Sequence, residues 1–314
     1  AIGTKLGDFT TGSWSNFHNE NFKLVSINAA RFDVTKHRAT PVVSDAKLGL
    51  LKLSKFLDDW KAPEVWFQRA YNESKEWDKY VEKQSGPTNQ ELPSYAHALG
   101  AVYRNADSSD IVVTAAGGLV GEATQIWKPK ELNTFETDWG FSCMGYEISG
   151  ALGIKMAKPS QDVIVFVGDG SYLLANSDIY SSIIYEKKLI IIVCDNIGHM
   201  VINRLQLAKG GKEYLCNLKS ARASNFVKVD FAAHAASMGA KTETVTSTSE
   251  LEAAFLRAKK ADKTYVISIS THGYEWLEGT AFWESPTLAV SSTEENKKAL
   301  EEHRKGKVKQ RKGV

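Results

Sequence analysis

Two uninterrupted apolar runs near the middle of the chain limit what it can fold into. The runs are VIVFV at 163–167 and LIIIVC at 189–194, and the helix-length segment SDIYSSIIYEKK separates them. Strands that are apolar along their whole length need cover on both faces, which is typical of parallel sheets. Strand-like and helix-like segments alternate from DIVVTAAGG to TYVISIS. The sequence therefore predicts an α/β fold whose parallel sheet carries helices on both faces.

Each apolar run ends in a short polar signature. Gly168, Asp169 and Gly170 follow the first run, and Asp195 and Asn196 follow the second. In a right-handed β-α-β unit the two strands are parallel and adjacent, so their carboxyl ends lie at the same edge of the sheet. Open α/β sheets bind ligands at that edge. We therefore expect the side chains of Asp169 and Asn196 to converge.

The residue types at these strand ends indicate a cation and an anion together. One carboxylate, one amide oxygen and loop carbonyl groups suit Mg²⁺ or Ca²⁺ rather than zinc, and phosphate oxygens would complete the coordination. Gly168 and Gly170 permit close backbone approach, and the amides of Gly170 and Ser171 open towards a helix start. The simplest hypothesis is a diphosphate bridged by Mg²⁺. Taken separately, each signature is also typical of a plain turn or a helix cap.

Two further glycine-containing signatures precede these strand ends. TAAGGLVG at 114–121 lacks the G-x-G-x-x-G spacing and a following ribose-binding acid, so it does not indicate a dinucleotide site. We expect Gly117 and Gly118 to provide a second contact to the diphosphate. DWGFSCMGYEISGALG at 138–153 combines four glycines with Met144. That pattern favours either a loop packed against a flat ligand or a small-residue helix packed on the sheet.

These three signatures, in this order, resemble the cofactor-binding domain of the thiamine-diphosphate enzymes, the family that contains acetolactate synthase and pyruvate decarboxylase. The resemblance implies that the cofactors are thiamine diphosphate and Mg²⁺. It implies that Asp169, Asn196 and the carbonyl of Gly198 bind the metal on the diphosphate. It also implies that the carbonyl of Ser142 and the amide of Met144 hold the aminopyrimidine ring, with the Met144 side chain beneath the cofactor.

Finer features resemble one branch of that family, whose members open a ring in myo-inositol breakdown. They are Glu147, where the wider family usually has a small or apolar residue, and the segments CDNIGHMVINRLQL and VDFAAHAASMGAKT. The implied reaction is hydrolysis of the bond between the two carbonyl carbons of trihydroxycyclohexane-1,2-dione, which gives 5-deoxyglucuronate. A carboligase of the acetolactate synthase type, a 2-oxo acid decarboxylase and a non-catalytic cofactor-binding half of a split enzyme remain alternatives.

The residues that would complete catalysis are not identified in this sequence. In the family, a glutamate from an amino-terminal domain on a partner subunit protonates the cofactor ring, and no segment of this chain matches that domain. The resemblance therefore implies that the full-length protein is an enzyme that works as a homodimer or homotetramer, and that this polypeptide alone is inactive. His199, beside the predicted metal loop, is a candidate proton carrier or a structural histidine.

The resemblance also divides the chain into four segments. Residues 1–62 are similar to the second half of the family's central α/β domain, and residues 63–92 read as a helical linker. Residues 93–290 are the predicted cofactor-binding domain, and residues 291–314 are a charged tail, of which we expect residues 304–314 to be frayed. Within the third segment, residues 197–229 are expected to form a long binding loop or lid.

Composition restricts the remaining function classes. Hydrophobic residues make up 43% and charged residues 24%, which is typical of a globular protein. No apolar run reaches the roughly 18 residues of a membrane span and no secretory leader is visible, so the cytoplasm is the expected location. The three cysteines lack metal-type spacing and are expected to be free thiols. The basic carboxyl terminus has no interleaved aromatic residues, so we expect a small-molecule substrate rather than nucleic acid.

Overall fold

The computed structural model of the protein describes residues 1–19, 21–220, 226–279 and 282–311. None of the helices within these ranges is long and apolar enough to span a membrane. The α-helices are α1 (Asp8–Thr11), α2 (Arg31–Val34), α3 (Ala46–Leu57), α4 (Glu64–Ser85), α5 (Tyr95–Asn105), α6 (Gly117–Ile126), α7 (Tyr146–Ala157), α8 (Asp169–Leu174), α9 (Asp178–Ile184), α10 (Met200–Ala208), α11 (Phe231–Ser237), α12 (Thr248–Lys259) and α13 (Glu294–Val308). The strands are β1 (Val25–Asn28), β2 (Thr40–Val43), β3 (Ile111–Thr114), β4 (Phe135–Thr137), β5 (Val163–Gly168), β6 (Ile190–Asp195), β7 (Lys241–Val245) and β8 (Tyr265–Ser270). Short 3-10 helices lie at Ser15–Phe17, Lys36–Arg38 and Leu218–Ser220.

The described residues form two compact units. The first unit combines Ala1–Asn72, Ala208–Gly211 and Glu278–Val314. The second unit combines Glu73–Leu207 and Lys212–Leu277, and it contains all the residues predicted to bind a cofactor.

A six-stranded sheet organises the second unit. Its strand order is β4-β3-β5-β6-β8-β7, and every neighbouring pair is parallel. The chain reverses its direction of travel across the sheet after β4, because β5 is placed on the opposite side of β3. The predicted parallel α/β fold is confirmed.

Alternate residues of the central strands point into two separate apolar layers. Ile164 and Phe166 of β5 pack into one layer with α5, α6 and α12, whereas Val163 and Val165 pack into the other with α7, α9 and α11. All four side chains are fully buried. Because successive side chains of a strand point to opposite faces, an apolar residue at every position requires helices on both faces. The apolar runs of the sequence are uninterrupted because helices cover both faces of these strands.

The first unit has a smaller sheet. Strands β1 and β2 form a parallel pair in which Ile27 lies opposite Val42. Helix α3 packs on this pair at Gly49, where an added Cβ would lie 2.6 Å from the Cγ2 atom of Ile27. The other side of α3 faces solvent, and Phe56 is 86% exposed. A two-stranded sheet with one helix buries little apolar surface, so this unit contributes little to the hydrophobic core.

Two expectations about irregular segments are wrong. Residues 197–229 do not form one long loop, because α10 occupies Met200–Ala208 and buries Met200 and Asn203. Helix α13 (Glu294–Val308) extends into residues 304–314, which were expected to be frayed, and it has acids in its first turn, bases in its last turn and Asn296 and Ala299 buried. That charge distribution suits the helix dipole. Strand β4 was missed because three residues of edge strand carry no readable periodicity.

We predict that Gly100→Ala destabilises the second unit. Gly100 of α5 lies against the backbone of Ser85 at the end of α4, and an added Cβ would overlap the Ser85 carbonyl group. Such overpacking costs about 1–3 kcal/mol. Gly121→Ala in α6 is the matched control, because an added Cβ there meets nothing within 4 Å. It should leave the free energy of unfolding in urea unchanged or raise it by up to about 1 kcal/mol. Equal effects of the two substitutions would contradict this packing.

Candidate functional site

The site is built where β5 and β6 end side by side. The two strands are parallel neighbours, and Gly168 at the end of β5 lies opposite Cys194 of β6. Asp169 follows β5 directly as the first residue of α8, and Asn196 follows β6. The backbone amide of Gly198, two residues after Asn196, donates a 2.7 Å hydrogen bond to Oδ2 of Asp169. The predicted adjacency of the two strand ends is therefore confirmed.

Asp169 is a carboxylate held in an unfavourable environment. Its residue is only 4% exposed. Burial, together with the neighbouring charge of Asp195, raises the pKa of Asp169 to about 7, although the backbone amides of Gly198 and Gly170 act in the opposite direction. A cation at this carboxylate would favour its charged form and lower that pKa.

Asn196 has an unsatisfied oxygen. Its Nδ2 donates a 2.7 Å hydrogen bond to the hydroxyl of Tyr95, which fixes the orientation of the amide. Its Oδ1 is buried and has no hydrogen-bond partner. Leaving a buried acceptor unpaired costs about 1–3 kcal/mol. A cation coordinated by this oxygen would remove the cost, so the residues present fit an oxygen-ligated metal.

The loop that follows Asn196 is braced by a second segment. Gly198 has a φ of +151°, and an added Cβ would overlap the carbonyl of Cys216. The amide of His199 donates to that carbonyl at 2.8 Å, and the amide of Leu218 donates to the carbonyl of Ile197 at 3.0 Å. Only glycine fits position 198, because both its backbone angle and its neighbour exclude a side chain.

Gly170, His199 and Met144 meet at one point of the site. An added Cβ at Gly170 would lie 2.8 Å from Cε1 of His199 and 3.3 Å from Cε of Met144. The His199 residue is exposed, and Met144 is 40% exposed. Whether His199 carries a proton or has a structural role stays a prediction.

The two glycines of the β3–α6 turn differ in their surroundings. Gly117 begins α6 with a φ of +73°, and an added Cβ there would meet nothing within 4 Å. At Gly118 an added Cβ would lie 2.5 Å from the ring of Trp276 and 3.3 Å from Tyr95. The space beside Gly117 is therefore open, whereas Gly118 allows Trp276 to pack against the turn.

The segment before α7 is tied to this same turn. The hydroxyl of Ser142 donates a 3.2 Å hydrogen bond to the carbonyl of Ala115. The segment is also folded on itself, because the amide of Ser142 donates to the carbonyl of Asp138 at 2.8 Å and the amide of Cys143 donates to the Asp138 carboxylate at 3.1 Å. These bonds place the residues that precede Met144 beside the carboxyl end of β3.

All the predicted binding residues thus lie at the carboxyl-end edge of the sheet. They are Gly117, Gly118, Ser142, Met144, Gly168, Asp169, Gly170, Ser171, Asn196 and Gly198. Their roles as ligands stay predictions. No group of three or more His, Cys, Asp or Glu side chains in the described ranges could hold a metal ion. A metal at this edge would therefore depend on amide, carbonyl and non-protein oxygens as well as on Asp169.

Several residues of the site were not identified from the sequence. Tyr95 lies 101 positions before Asn196 in the chain, and nothing in the local pattern pairs them. Trp276, which had no assigned role, packs against Gly118 and contacts Tyr95 edge-on at 5.9 Å between ring centroids. Glu147 is buried and accepts backbone hydrogen bonds from two segments of the site. Only Glu147 gave a signal, as a charged residue among small and apolar ones.

Comparison with known proteins identifies the second unit. Residues 115–269 match the family described as thiamine pyrophosphate enzyme, C-terminal TPP binding domain. These residues are a TPP-binding domain of that family. The match begins directly after β3 and extends into β8, and thus contains every predicted binding residue.

Relatives and solved structures extend this comparison. The chain is 35% identical to a 3D-(3,5/4)-trihydroxycyclohexane-1,2-dione hydrolase of Bacillus anthracis, over 89% of the chain and 49% of the relative. It is 33% identical to a protein of the same name from Halalkalibacterium halodurans, over 96% of the chain and 51% of the relative. The chain thus spans about half the length of these curated relatives. A thiamine diphosphate-dependent 4-hydroxybenzoylformate decarboxylase of Rhodococcus jostii shares the fold, with a TM-score of 0.60 at 15% identity, over 81% of this chain and 44% of that one.

The TPP-binding domain buries a second carboxylate near the site. Glu122 of α6 is 4% exposed, and neither of its carboxylate oxygens has a hydrogen-bond partner. Burial raises the pKa of Glu122 to about 8, against the opposing influence of the Leu277 and Ala96 amides and of the Arg204 guanidinium. The folded domain therefore favours the protonated form of Glu122 more strongly than the unfolded chain does.

This difference predicts how stability depends on pH. The pKa of Glu122 is raised from 4.5 to about 8 in the folded domain. The contribution of protonated Glu122 to the free energy of unfolding is therefore fully present below pH 4.5, and it is lost as the pH rises through about 8. Relative to Glu122→Gln, the wild type should lose up to about 5 kcal/mol of unfolding free energy over this interval. Urea unfolding at a series of pH values measures it. Glu82→Gln, exposed on α4, is the control, and it should follow the wild-type curve. Parallel curves for wild type and Glu122→Gln would contradict the raised pKa.

Proposed function

We propose that the protein containing this chain is a thiamine-diphosphate- and Mg²⁺-dependent enzyme that hydrolyses a carbon–carbon bond of a cyclic 1,2-diketone. The proposed substrate is trihydroxycyclohexane-1,2-dione and the proposed product is 5-deoxyglucuronate, an inositol-breakdown reaction. Relatives at 33–35% identity, which are trihydroxycyclohexane-1,2-dione hydrolases, support the substrate. The buried, unpartnered Oδ1 of Asn196 beside the Asp169 carboxylate carries the proposal of a metal-bound cofactor.

We assign the metal to the ends of β5 and β6. Asp169 supplies the only carboxylate ligand, Asn196 supplies Oδ1, and Gly198 supplies its carbonyl oxygen. Three protein oxygens leave room for diphosphate oxygens and water around a six-coordinate Mg²⁺. The Tyr95 hydrogen bond supports this assignment, because it occupies Nδ2 of Asn196 and leaves Oδ1 for the ion.

The remaining predicted residues would hold the organic part of the cofactor. Backbone groups of Gly168, Gly170 and Ser171 on one side, and of Gly117 and Gly118 on the other, would contact the diphosphate. The open space beside Gly117 supports a close approach there, whereas the side of Gly118 is already covered by Trp276.

Three residues next to that diphosphate site would face the ring end of the cofactor. The Ser142 carbonyl and the Met144 amide would bind the aminopyrimidine, and the Met144 side chain would support the cofactor from below. When bound, thiamine diphosphate supplies the electron sink that allows the carbon–carbon bond to break. We propose that His199 carries a proton between substrate and solvent, and its exposure beside Gly170 and Met144 supports this role.

Wider expectations accompany this proposal. Because the chain matches about half the length of its relatives, we propose that turnover needs residues from the other half, including the catalytic glutamate. We also propose that the full-length protein is a cytoplasmic homodimer or homotetramer. Both proposals concern the full-length protein rather than this 314-residue chain alone.

The first test is cofactor binding by this chain. We expect thiamine diphosphate to bind only with Mg²⁺, and Asp169→Ala to weaken binding by at least about 100-fold, because it removes the only carboxylate ligand. Isothermal titration with and without EDTA measures both effects. The control is Asp178→Ala, at the start of α9, which removes a carboxylate outside the proposed site. Metal-independent binding, or an equal loss in both variants, would contradict the assignment.

The second test concerns the reaction. With cofactor, Mg²⁺ and the cyclic diketone, this chain alone should give no turnover, whereas protein that also contains the other half of its relatives' length should open the ring. In ¹⁸O-labelled water the new carboxylate should carry one labelled oxygen. Conversion of 2-oxo acids to aldehydes or carboligation products, in place of ring opening, would instead indicate a decarboxylase or a carboligase.

A further inference from the structure

Glu147 is a charged residue of the site that the proposed chemistry does not use. It lies in the first turn of α7 and is 1% exposed. A glutamate this deeply buried is uncommon unless its charge is compensated. The partners that surround it are backbone amides and a hydroxyl group rather than a basic side chain.

These partners come from three different segments of the site. Oε2 accepts a 2.9 Å hydrogen bond from the amide of Gly145, and Oε1 accepts a 3.3 Å hydrogen bond from the amide of Ala116. The Ser171 side chain lies near the same carboxylate and acts against the rise of its pKa on burial. One side chain therefore bonds the segment before α7 to the β3–α6 turn, and it also faces the start of α8.

Each partner is next to a residue assigned to the cofactor. Gly145 follows Met144, Ala116 precedes Gly117, and Ser171 follows Gly170. The first segment is assigned to the aminopyrimidine, and the other two are assigned to the diphosphate. The separation of the two ends of the cofactor site is thus set across Glu147.

Contacts other than those of Glu147 also hold the segment before α7 in place. Gly145 has a φ of +96°, and an added Cβ would lie 2.6 Å from Cβ of Ala175. The hydroxyl of Ser142 reaches the carbonyl of Ala115 at 3.2 Å. The Ser142 bond joins the same two segments as Glu147, whose bond to the Ala116 amide is 3.3 Å, so Glu147 provides the second of these two links.

We propose that Glu147 is a positioning residue that fixes the distance between the diphosphate-binding and aminopyrimidine-binding segments, and so sets the shape in which thiamine diphosphate is held. This inference rests on the proposed function. A ligand that bridges two subsites gains affinity when their separation is fixed before it binds. A ligand that occupies one subsite gains nothing from that separation.

This distinction gives a test that a merely structural residue would not pass. Glu147→Gln keeps the size of the side chain but replaces one of its two acceptor oxygens by an NH2 group, which cannot accept from a backbone amide, so one side of the bridge opens. Binding of Mg²⁺–thiamine diphosphate and of Mg²⁺–pyrophosphate is measured by isothermal titration on wild type and variant. We expect thiamine diphosphate to bind at least about tenfold more weakly to the variant, and pyrophosphate affinity to stay within about twofold.

A second readout follows the shape of the bound cofactor. The near-ultraviolet circular dichroism of saturated wild type reports the held aminopyrimidine, and we expect this signal to diminish in saturated Glu147→Gln. Glu122→Gln is the matched control, because Glu122 is also a buried glutamate and its oxygens accept no hydrogen bond from a segment assigned to the cofactor. It should change neither the ratio of the two affinities nor the dichroism.

The outcomes separate this inference from the function on which it rests. Equal losses for both ligands in Glu147→Gln, or no loss for either, would overturn the positioning role while leaving the proposed cofactor in place. If wild type binds pyrophosphate with Mg²⁺ but gains nothing from the rest of thiamine diphosphate, the proposed cofactor and the positioning role both fail. A selective loss for thiamine diphosphate with far-ultraviolet dichroism unchanged supports the role.

Discussion

The parallel pairing of β5 with β6 is the constraint on which the site depends. In this register the two strands end together, and the next residues place a buried carboxylate and a buried amide at one edge. Both groups carry an electrostatic cost there, because burial raises the pKa of Asp169 and leaves Oδ1 of Asn196 without a partner. The apolar layers that cover both faces of the sheet stabilise the fold and offset this cost. A divalent cation would relieve both costs at once.

The groups around these strand ends are held by backbone rather than by long side chains. Gly198 is fixed against Cys216, and the turn at Gly117 is fixed by the start of α6. Tyr95 orients the Asn196 amide from the beginning of α5. Such supports restrict the positions of the ligating atoms before any ligand binds, which lowers the entropy cost of binding.

Much of this arrangement could be predicted from the sequence because its signals are local. Apolar residues at successive positions of 163–167 and 189–194 predicted buried parallel strands, and the polar residues that follow them predicted which edge carries the site. Tyr95 could not be found in this way, because its partner is 101 positions away and a tyrosine near a helix start has no distinctive pattern. Helix α10 was missed because the glycines around it favoured a loop, and the contact of Trp276 with Gly118 depends on tertiary packing.

The position of the ion tests the central claim most directly. Crystals of the chain grown with Mn²⁺ and thiamine diphosphate would show the metal by its anomalous scattering. The account predicts one peak at roughly 2.0–2.6 Å from a carboxylate oxygen of Asp169 and from Oδ1 of Asn196, while Nδ2 of Asn196 stays hydrogen-bonded to Tyr95. A peak elsewhere, or bound cofactor with Oδ1 of Asn196 turned away from the ion, would contradict it.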